Sequence, residues 1–354
     1  MKARDIIDAM GILDEDLVLE AKVSQLTKHH SPRRVLLVAA VIVLIGSLGL
    51  SAIAAADKAG GFRDMFAQKS GTVLTPGQEN FVQDNTVDAG VSQTQNGYTL
   101  TLDSAVTDGK LAYFRFRLTA REGTKLDADW YGANYETVVK NEAGEDLFSG
   151  EGSGMGGMRW ITETEEREED QVWLLLEFDR SFSGNTTPLA EHTWTVYIYG
   201  LMAGYSQEDL GLRYEKLAEG CWEFQIRFPE GCERELELIR APVTTSCVLD
   251  TGRTVDMEAG VISVTTEVRP VQITSFRLRA LTAELTFVYS EKDPINGRFD
   301  DIYVVMKDGT QICLTDNSVM PNFLSYTFDA PIDLNQVDHI LFHDGAVISV
   351  DIGS

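Results

Sequence analysis

The chain has 354 residues, 44% of them hydrophobic, with 30 basic and 55 acidic side chains and a formal net charge of −25. This length allows two domains and a sizeable core. The acidic balance argues against direct binding of nucleic acid or an anionic lipid surface, both of which repel a polyanion. Cys221, Cys232, Cys247 and Cys313 are the four cysteines, too few for a disulfide scaffold. None sits in a CxxC pair, so zinc and thioredoxin-like redox chemistry have little support. Three complete pairings are open to them, and buried thiols are the simpler alternative.

Residues 1–34 hold six basic and six acidic side chains and read as a short helical cytoplasmic segment. Ile6, Ile7 and Met10 make one short apolar face, which Gly11 interrupts. Asp14 can cap a second helix, on which Leu17, Val18, Ala21 and Leu26 give a partial stripe. Neither helix is long enough to stand alone in water; a partner could supply the missing core, and a frayed tail preceding the membrane stop is the other reading.

Val35 to Ala56 carries no charge and has the roughly 20 residues that a bilayer core requires. Lys28, Arg33 and Arg34 precede it, with Asp57 and Lys58 behind. Residues 35–56 therefore read as a transmembrane helix in the lipid bilayer, with the N-terminus cytoplasmic and the C-terminal part extracytoplasmic. A cleaved signal peptide is the rival reading, because Ala54-Ala55-Ala56 suits cleavage. The apolar run is too long, and its lead-in too acidic, for an ordinary signal.

Residues 57–96 read as a juxtamembrane turn and linker. Phe62, Met65 and Phe66 have i, i+3, i+4 spacing and suit either the membrane interface or packing on the first outer domain. Asn96-Gly97 and Asp108-Gly109 are turn signals around alternating strands. Further strand candidates at 136–140, 171–178, 194–199 and 222–228 make a first β-sandwich-like domain over 97–240. A second run of short strands, with Asp308-Gly309 as a tight hairpin, makes a second such domain over 245–354. The expected class is thus mainly β, with two extracytoplasmic β-sandwich-like domains after one membrane span.

The stretches ILDEDLVLEA (12–21), GFRDMF (61–66), AEGCWEFQIRF (218–228) and VISVTTEVRPVQITSFRLRA (261–280), with the span between the first two, carry a resemblance. This layout resembles a family of membrane-anchored proteins from Gram-positive bacteria. Their outer domain has no known function, and they are often encoded beside extracytoplasmic-function sigma factors. The resemblance implies an anti-sigma factor or envelope signal sensor. Residues 5–26 would hold a cytoplasmic sigma factor without the HxxxCxxC zinc motif, and the outer domains would meet an extracytoplasmic ligand or protein. The alternative is a membrane-tethered surface binding or structural module.

No motif implies a cofactor, a metal or an enzymatic activity. The glycine-rich run 150–157 lacks the GK[ST] of a phosphate loop. The acidic run 163–170 lacks EF-hand spacing. Asp293, Asp300 and Asp301 flank an Asn296-Gly297 turn. His339 and His343 beside Asp344 have the elements of a zinc site, but a strand ending in a turn explains them as well. His192 has no nucleophile pattern near it. Trp130, Tyr131, Tyr135 and Trp160 suit either a ligand surface or an ordinary β core.

Overall fold

The structure is a computed structural model. It describes residues 60–147, 158–163, 168–181, 187–207, 211–239, 242–256, 261–289, 297–314 and 316–350. The described residues up to 251 and those from 266 onwards form one compact unit.

Two short helices open the described chain. Helix α1, Gly60–Ser70, turns its Phe62, Met65 and Phe66 face inward and ends where Gly71 takes a φ of +66°. Helix α2, Pro76–Asn85, starts at a reciprocal cap. The Thr75 amide donates to Gln78 Oε1 at 2.8 Å, and the Gln78 amide donates back to Thr75 Oγ1. Pro76 stands in the first turn, where its missing N–H costs nothing.

Strands β1 (Thr86–Gln95), β2 (Tyr98–Thr107), β3 (Leu111–Thr119), β4 (Trp130–Asn141), β5 (Met158–Glu163), β6 (Gln171–Asp179), β7 (Trp194–Gln207) and β8 (Gly211–Ile226) follow. They make a five-stranded sheet in the order β1-β2-β3-β6-β5 and a three-stranded sheet in the order β4-β7-β8, with every pairing antiparallel. Asn96 and Gly97 both take positive φ, 52° and 82°, in the two-residue turn from β1 to β2. Inward alternation of Leu100, Leu102, Phe114, Phe116, Leu174, Leu176, Trp194, Val196, Trp222 and Phe224 fills one core.

This body is not a flat sandwich. Register shifts at Asp88/Val91, Leu102/Ser104, Ala133/Glu136 and Tyr199/Leu201 bend the strands. The two sheets therefore approach each other at both edges, β5 beside β4 and β8 beside β1, in a near-barrel.

The remaining strands are β9 (Leu236–Glu237), β10 (Val243–Asp256), β11 (Val261–Leu278), β12 (Thr282–Val288), β13 (Gly297–Arg298), β14 (Ile302–Met306), β15 (Gln311–Leu314), β16 (Asp316–Met320), β17 (Phe323–Thr327), β18 (Val337–Phe342) and β19 (Val347–Ser349). One sheet runs β13-β10-β11-β12-β17-β16 with β9 on β11, and a four-stranded sheet runs β15-β14-β18-β19. Their facing residues, among them Ile273, Phe276, Leu285, Phe287, Val304, Leu324 and Ile340, form a second core. A third, smaller core joins α1 to the outer side of the first body. Phe62, Met65 and Phe66 pack there with Val106, Leu111, Tyr113, Leu175 and Leu281.

Two expectations are corrected. The pair of β-sandwich-like domains gives way to a mainly β architecture with a near-barrel sheet, because bulged strands curl instead of stacking. Among the described residues no helix is long and apolar enough to cross a membrane. The longer of the two helices has 11 residues and carries Arg63, Asp64 and Lys69, against the roughly 20 apolar residues a span requires. The span expected over 35–56 and the helical segment over 1–34 lie outside the described residues. The single-pass placement, cytoplasmic N-terminus and extracytoplasmic C-terminal part, thus has no support in the structure and is set aside.

Candidate binding cleft and the clasp beside it

A cleft of about 300 Å³ opens between α2, the loop 230–234 and the segment 331–335. Gly77, Asn80, Phe81, Asp84 and Asn85 of α2 form one wall. Glu230, Gly231, Cys232 and Arg234 form the second, and Ala280 with Ile332 to Asn335 closes the third. The capping box fixes where α2 begins, and Gln78 Nε2 donates to the Pro331 carbonyl at 2.7 Å, which holds the helix against the third wall. Gly77 is required at that contact: a Cβ there would collide with the Asp333 carboxylate.

The polar groups of the cleft fall into two sets. Asp333 caps a short 3-10 helix, Leu334–Gln336, by accepting from the Asn335 amide at 3.0 Å. Arg234 Nη2 donates to Asn335 Oδ1 at 2.7 Å, and Lys307 Nζ donates to the Asn335 carbonyl at 2.7 Å. These groups are occupied in shaping the rim. Asp84 and Glu230 are exposed lining residues with no ion pair among the described residues. The lining thus carries three carboxylates, Asp84, Glu230 and Asp333, against the one guanidinium of Arg234. Burial, with Glu233 and Asp108 adding, pushes the Cys232 thiol up to about 12, which disfavours its thiolate.

The walls of the cleft are held by a buried polar clasp. Asp108, in the β2–β3 turn, is wholly buried. Its Oδ1 accepts from the Lys110 and Leu111 amides at 2.9 and 2.8 Å. Its Oδ2 accepts from the Leu281 amide and Thr282 Oγ1 at 2.9 and 2.8 Å, across to the β11–β12 turn. A carboxylate with four donors repays its desolvation. Around it Lys110 Nζ meets Glu284 at 3.1 Å, and Arg279 bridges Glu284 and Glu235. Arg180 Nη1 donates to the Gly109 carbonyl at 2.9 Å. Ser181 and Ser325 join hydroxyl to hydroxyl at 2.7 Å. Asp179 lies in the same cluster, its carboxyl raised by burial and, secondarily, by Asp108 and Glu284.

The residues singled out from sequence have the following places. Ile6, Ile7, Met10, Leu17, Val18 and Ala21 lie outside the described residues, as do the run 150–157, residues 164–167 and Asp293. Phe62, Met65 and Phe66 are buried on the protein, with Phe66 edge-on to Tyr113 at 5.7 Å. Tyr131 is buried, and Trp130 and Trp160 are half-buried against each other's strands. His192 pairs with Glu142 at 3.0 Å, and His339 with Asp338 at 2.8 Å. Asp344 staples a loop by accepting from Thr245 Oγ1 and the Ser246 amide. Among the described residues no group of three His, Cys, Asp or Glu side chains is placed to hold a metal ion. The four cysteines are free thiols. The cleft itself was not legible beforehand, since its walls come from three segments far apart in the chain.

The fold and cleft define a mainly β protein with a mixed-polarity surface cleft. No family model matches the chain, and no curated protein matches it. A solved structure described as a conserved domain protein from Bacillus anthracis is similar over 74% of this chain and 78% of that one, at 11% identity and a TM-score of 0.44. The expected membership of the membrane-anchored Gram-positive family is corrected accordingly: the resemblance rested on layout and hydrophobic pattern, and no family model bears it out. With it go the anti-sigma or envelope-sensor role, the sigma-factor partner at residues 5–26 and the bilayer as partner. The described helices supply no span.

Proposed function

We propose that this chain is a non-catalytic binding module whose cleft takes a small ligand bearing a positive charge. One observation carries the reading. A cleft of about 300 Å³ presents Asp84 and Glu230 with no ion-pair partner among the described residues, while Arg234 is engaged with Asn335. A cationic amine or guanidinium entering there gains charge-assisted hydrogen bonds from the two carboxylates and amide contacts from Asn80 and Asn85. Phe81, Ile332 and Leu334 supply apolar wall for its carbon skeleton. The net charge of −25 draws cations towards the surface at range.

The test is calorimetric titration of the full-length chain with a diamine, an arginine amide, a neutral sugar and a dicarboxylate of similar size. The two cations bind and the other two do not, with affinity falling as salt rises. Asp84→Asn with Glu230→Gln weakens binding at least tenfold and leaves the melting temperature within about 2 °C. Equal binding of all four compounds, or cation binding indifferent to the double substitution, overturns the reading.

A further inference from the structure

The near-barrel has a seam between β1 and β8 that no backbone ladder closes. Both strands are terminal in their sheets and their edges face each other. Side chains of β1 and its turn stand in for a strand. Gln93 Oε1 accepts from the Glu223 amide at 3.0 Å, and Gln93 Nε2 donates back to the Glu223 carbonyl. Gln95 Nε2 donates to the Cys221 carbonyl at 3.1 Å, and Asn96 Nδ2 to the Glu219 carbonyl. The partners step by two residues along β8, as the ladder of an added antiparallel strand would. The same alternation turns Gln225 towards the seam. A side-chain carboxamide carries one carbonyl acceptor and an NH2 donor group, so it can pair with both the N–H and the C=O of a peptide unit and occupies an edge that otherwise invites pairing.

We propose that this seam is a strand-accepting site: β1 and β8 bring Cα atoms within 8 Å of each other, nearer than the roughly 9.6 Å that an intervening strand needs, so β1 swings out with its amides and an extended basic segment of a partner protein pairs its backbone with the β8 edge over residues 219–225. Two features support it. The amide contacts are solvent-exposed or half-exposed, so each costs little to release, whereas an added strand supplies backbone bonds in series. The charge of the edge selects the partner. On β8, Arg213 and Lys216 are taken by Glu215 and Glu219. Exposed Glu223, beside the middle of the slot, has no ion pair among the described residues, and the whole chain is strongly acidic. A lysine next to the paired stretch of the incoming strand meets Glu223.

The probe is a fluorescein-labelled, C-amidated peptide Lys-Val-Thr-Val-Thr-Val-Lys, with a control in which alternate backbone nitrogens are methylated. Methylation removes the N–H donors from one edge and keeps every charge and side chain. Anisotropy of the full-length chain shows binding of the unmethylated peptide alone, and hydrogen exchange slows over 219–225. Gln93→Ala with Gln95→Ala opens the slot and tightens binding about tenfold; Gln95→Ala alone, which leaves the Gln93 pair in place, gives a smaller gain. Asp84→Asn with Glu230→Gln leaves this binding unchanged, which separates it from the cleft. Equal binding of the methylated peptide, protection elsewhere than β8, or no binding to either glutamine variant at millimolar peptide overturns the proposal.

Discussion

The two seams of the near-barrel close the same kind of gap with different materials. At β4–β5 the closure is aromatic and hydroxylic. Trp130 Nε1 donates to the Trp160 carbonyl at 3.0 Å, Trp160 Nε1 donates to Thr137 Oγ1 at 3.3 Å, and the Tyr131 amide donates to Thr162 Oγ1 at 2.8 Å. Trp160 also packs against Phe116 of the core, tilted by 39° at 5.5 Å between ring centroids. At β1–β8 the hydrogen bonds come from side-chain amides, exposed or half-exposed. Hydrogen bonds of similar number thus have different consequences, because only the first set is backed by buried apolar area. The first seam is part of the core, and the second is a fastening on its outside.

Breaking the aromatic seam gives the largest effect. Trp160→Ala removes the indole's contact with Phe116 and its hydrogen bond to Thr137, and keeps the backbone carbonyl that Trp130 bonds; for this half-buried indole the loss is about 3 kcal/mol, the lower end for Trp→Ala. Urea unfolding at constant m-value measures it. A loss under 1 kcal/mol would put this seam on the same footing as the amide one. Thr162→Val keeps the shape and deletes the acceptor for the Tyr131 amide, at a cost of about 1–2 kcal/mol.

The pH dependence sharpens the contrast, since the bonding groups of both seams do not ionise. Asp179 does. Burial raises its folded carboxyl above its unfolded value. Below the unfolded value both states are protonated and Asp179 costs nothing electrostatic. As pH rises through the folded value, the charged form must be buried and stability is lost. Asp179→Asn therefore gains stability at neutral pH relative to the parent chain, and the gain fades as pH falls through the carboxylate range. Seam variants keep a constant difference from the parent across that range. A pH-independent Asp179→Asn difference would mean that the clasp compensates the charge fully.

Local rules made much of the strand content legible. Alternation between Tyr98 and Leu102, and again between Tyr113 and Leu118, lies within β2 and β3, and Asp308-Gly309 does join β14 to β15. The stretch 67–96 is polar and gave no such pattern, yet it holds α2 and β1. A signal for α2 was present in Thr75-Pro76-Gly77-Gln78, which is a capping-box sequence with proline in the first turn. Strand β1 had little to reveal it, because its glutamines spend their side chains on β8 rather than in a core. A proline ordinarily interrupts a strand, whereas β11 runs unbroken from Val261 through Pro270 to Leu278. The clasp and cleft were beyond reach, since Asp108 meets Leu281 and Thr282 more than 170 positions away. No local spacing encodes such a meeting.

The smallest effect is the most discriminating. Gln93→Ala and Gln95→Ala each remove exposed amide contacts without opening a buried void, so each lowers stability by about 0.5 kcal/mol. Exchange at the β8 amides facing the seam rises more than that figure suggests. The Glu223 N–H loses its acceptor in Gln93→Ala, while Trp222 and Phe224 keep their inward places and the β7 ladder stays formed. Native-state hydrogen exchange thus reports Glu223 as opening locally at nearly unchanged global stability. If Gln93→Ala instead cost 2 kcal/mol or more, the amide seam would be structural in the same sense as the aromatic one. Its edge would then be too firmly closed to exchange partners.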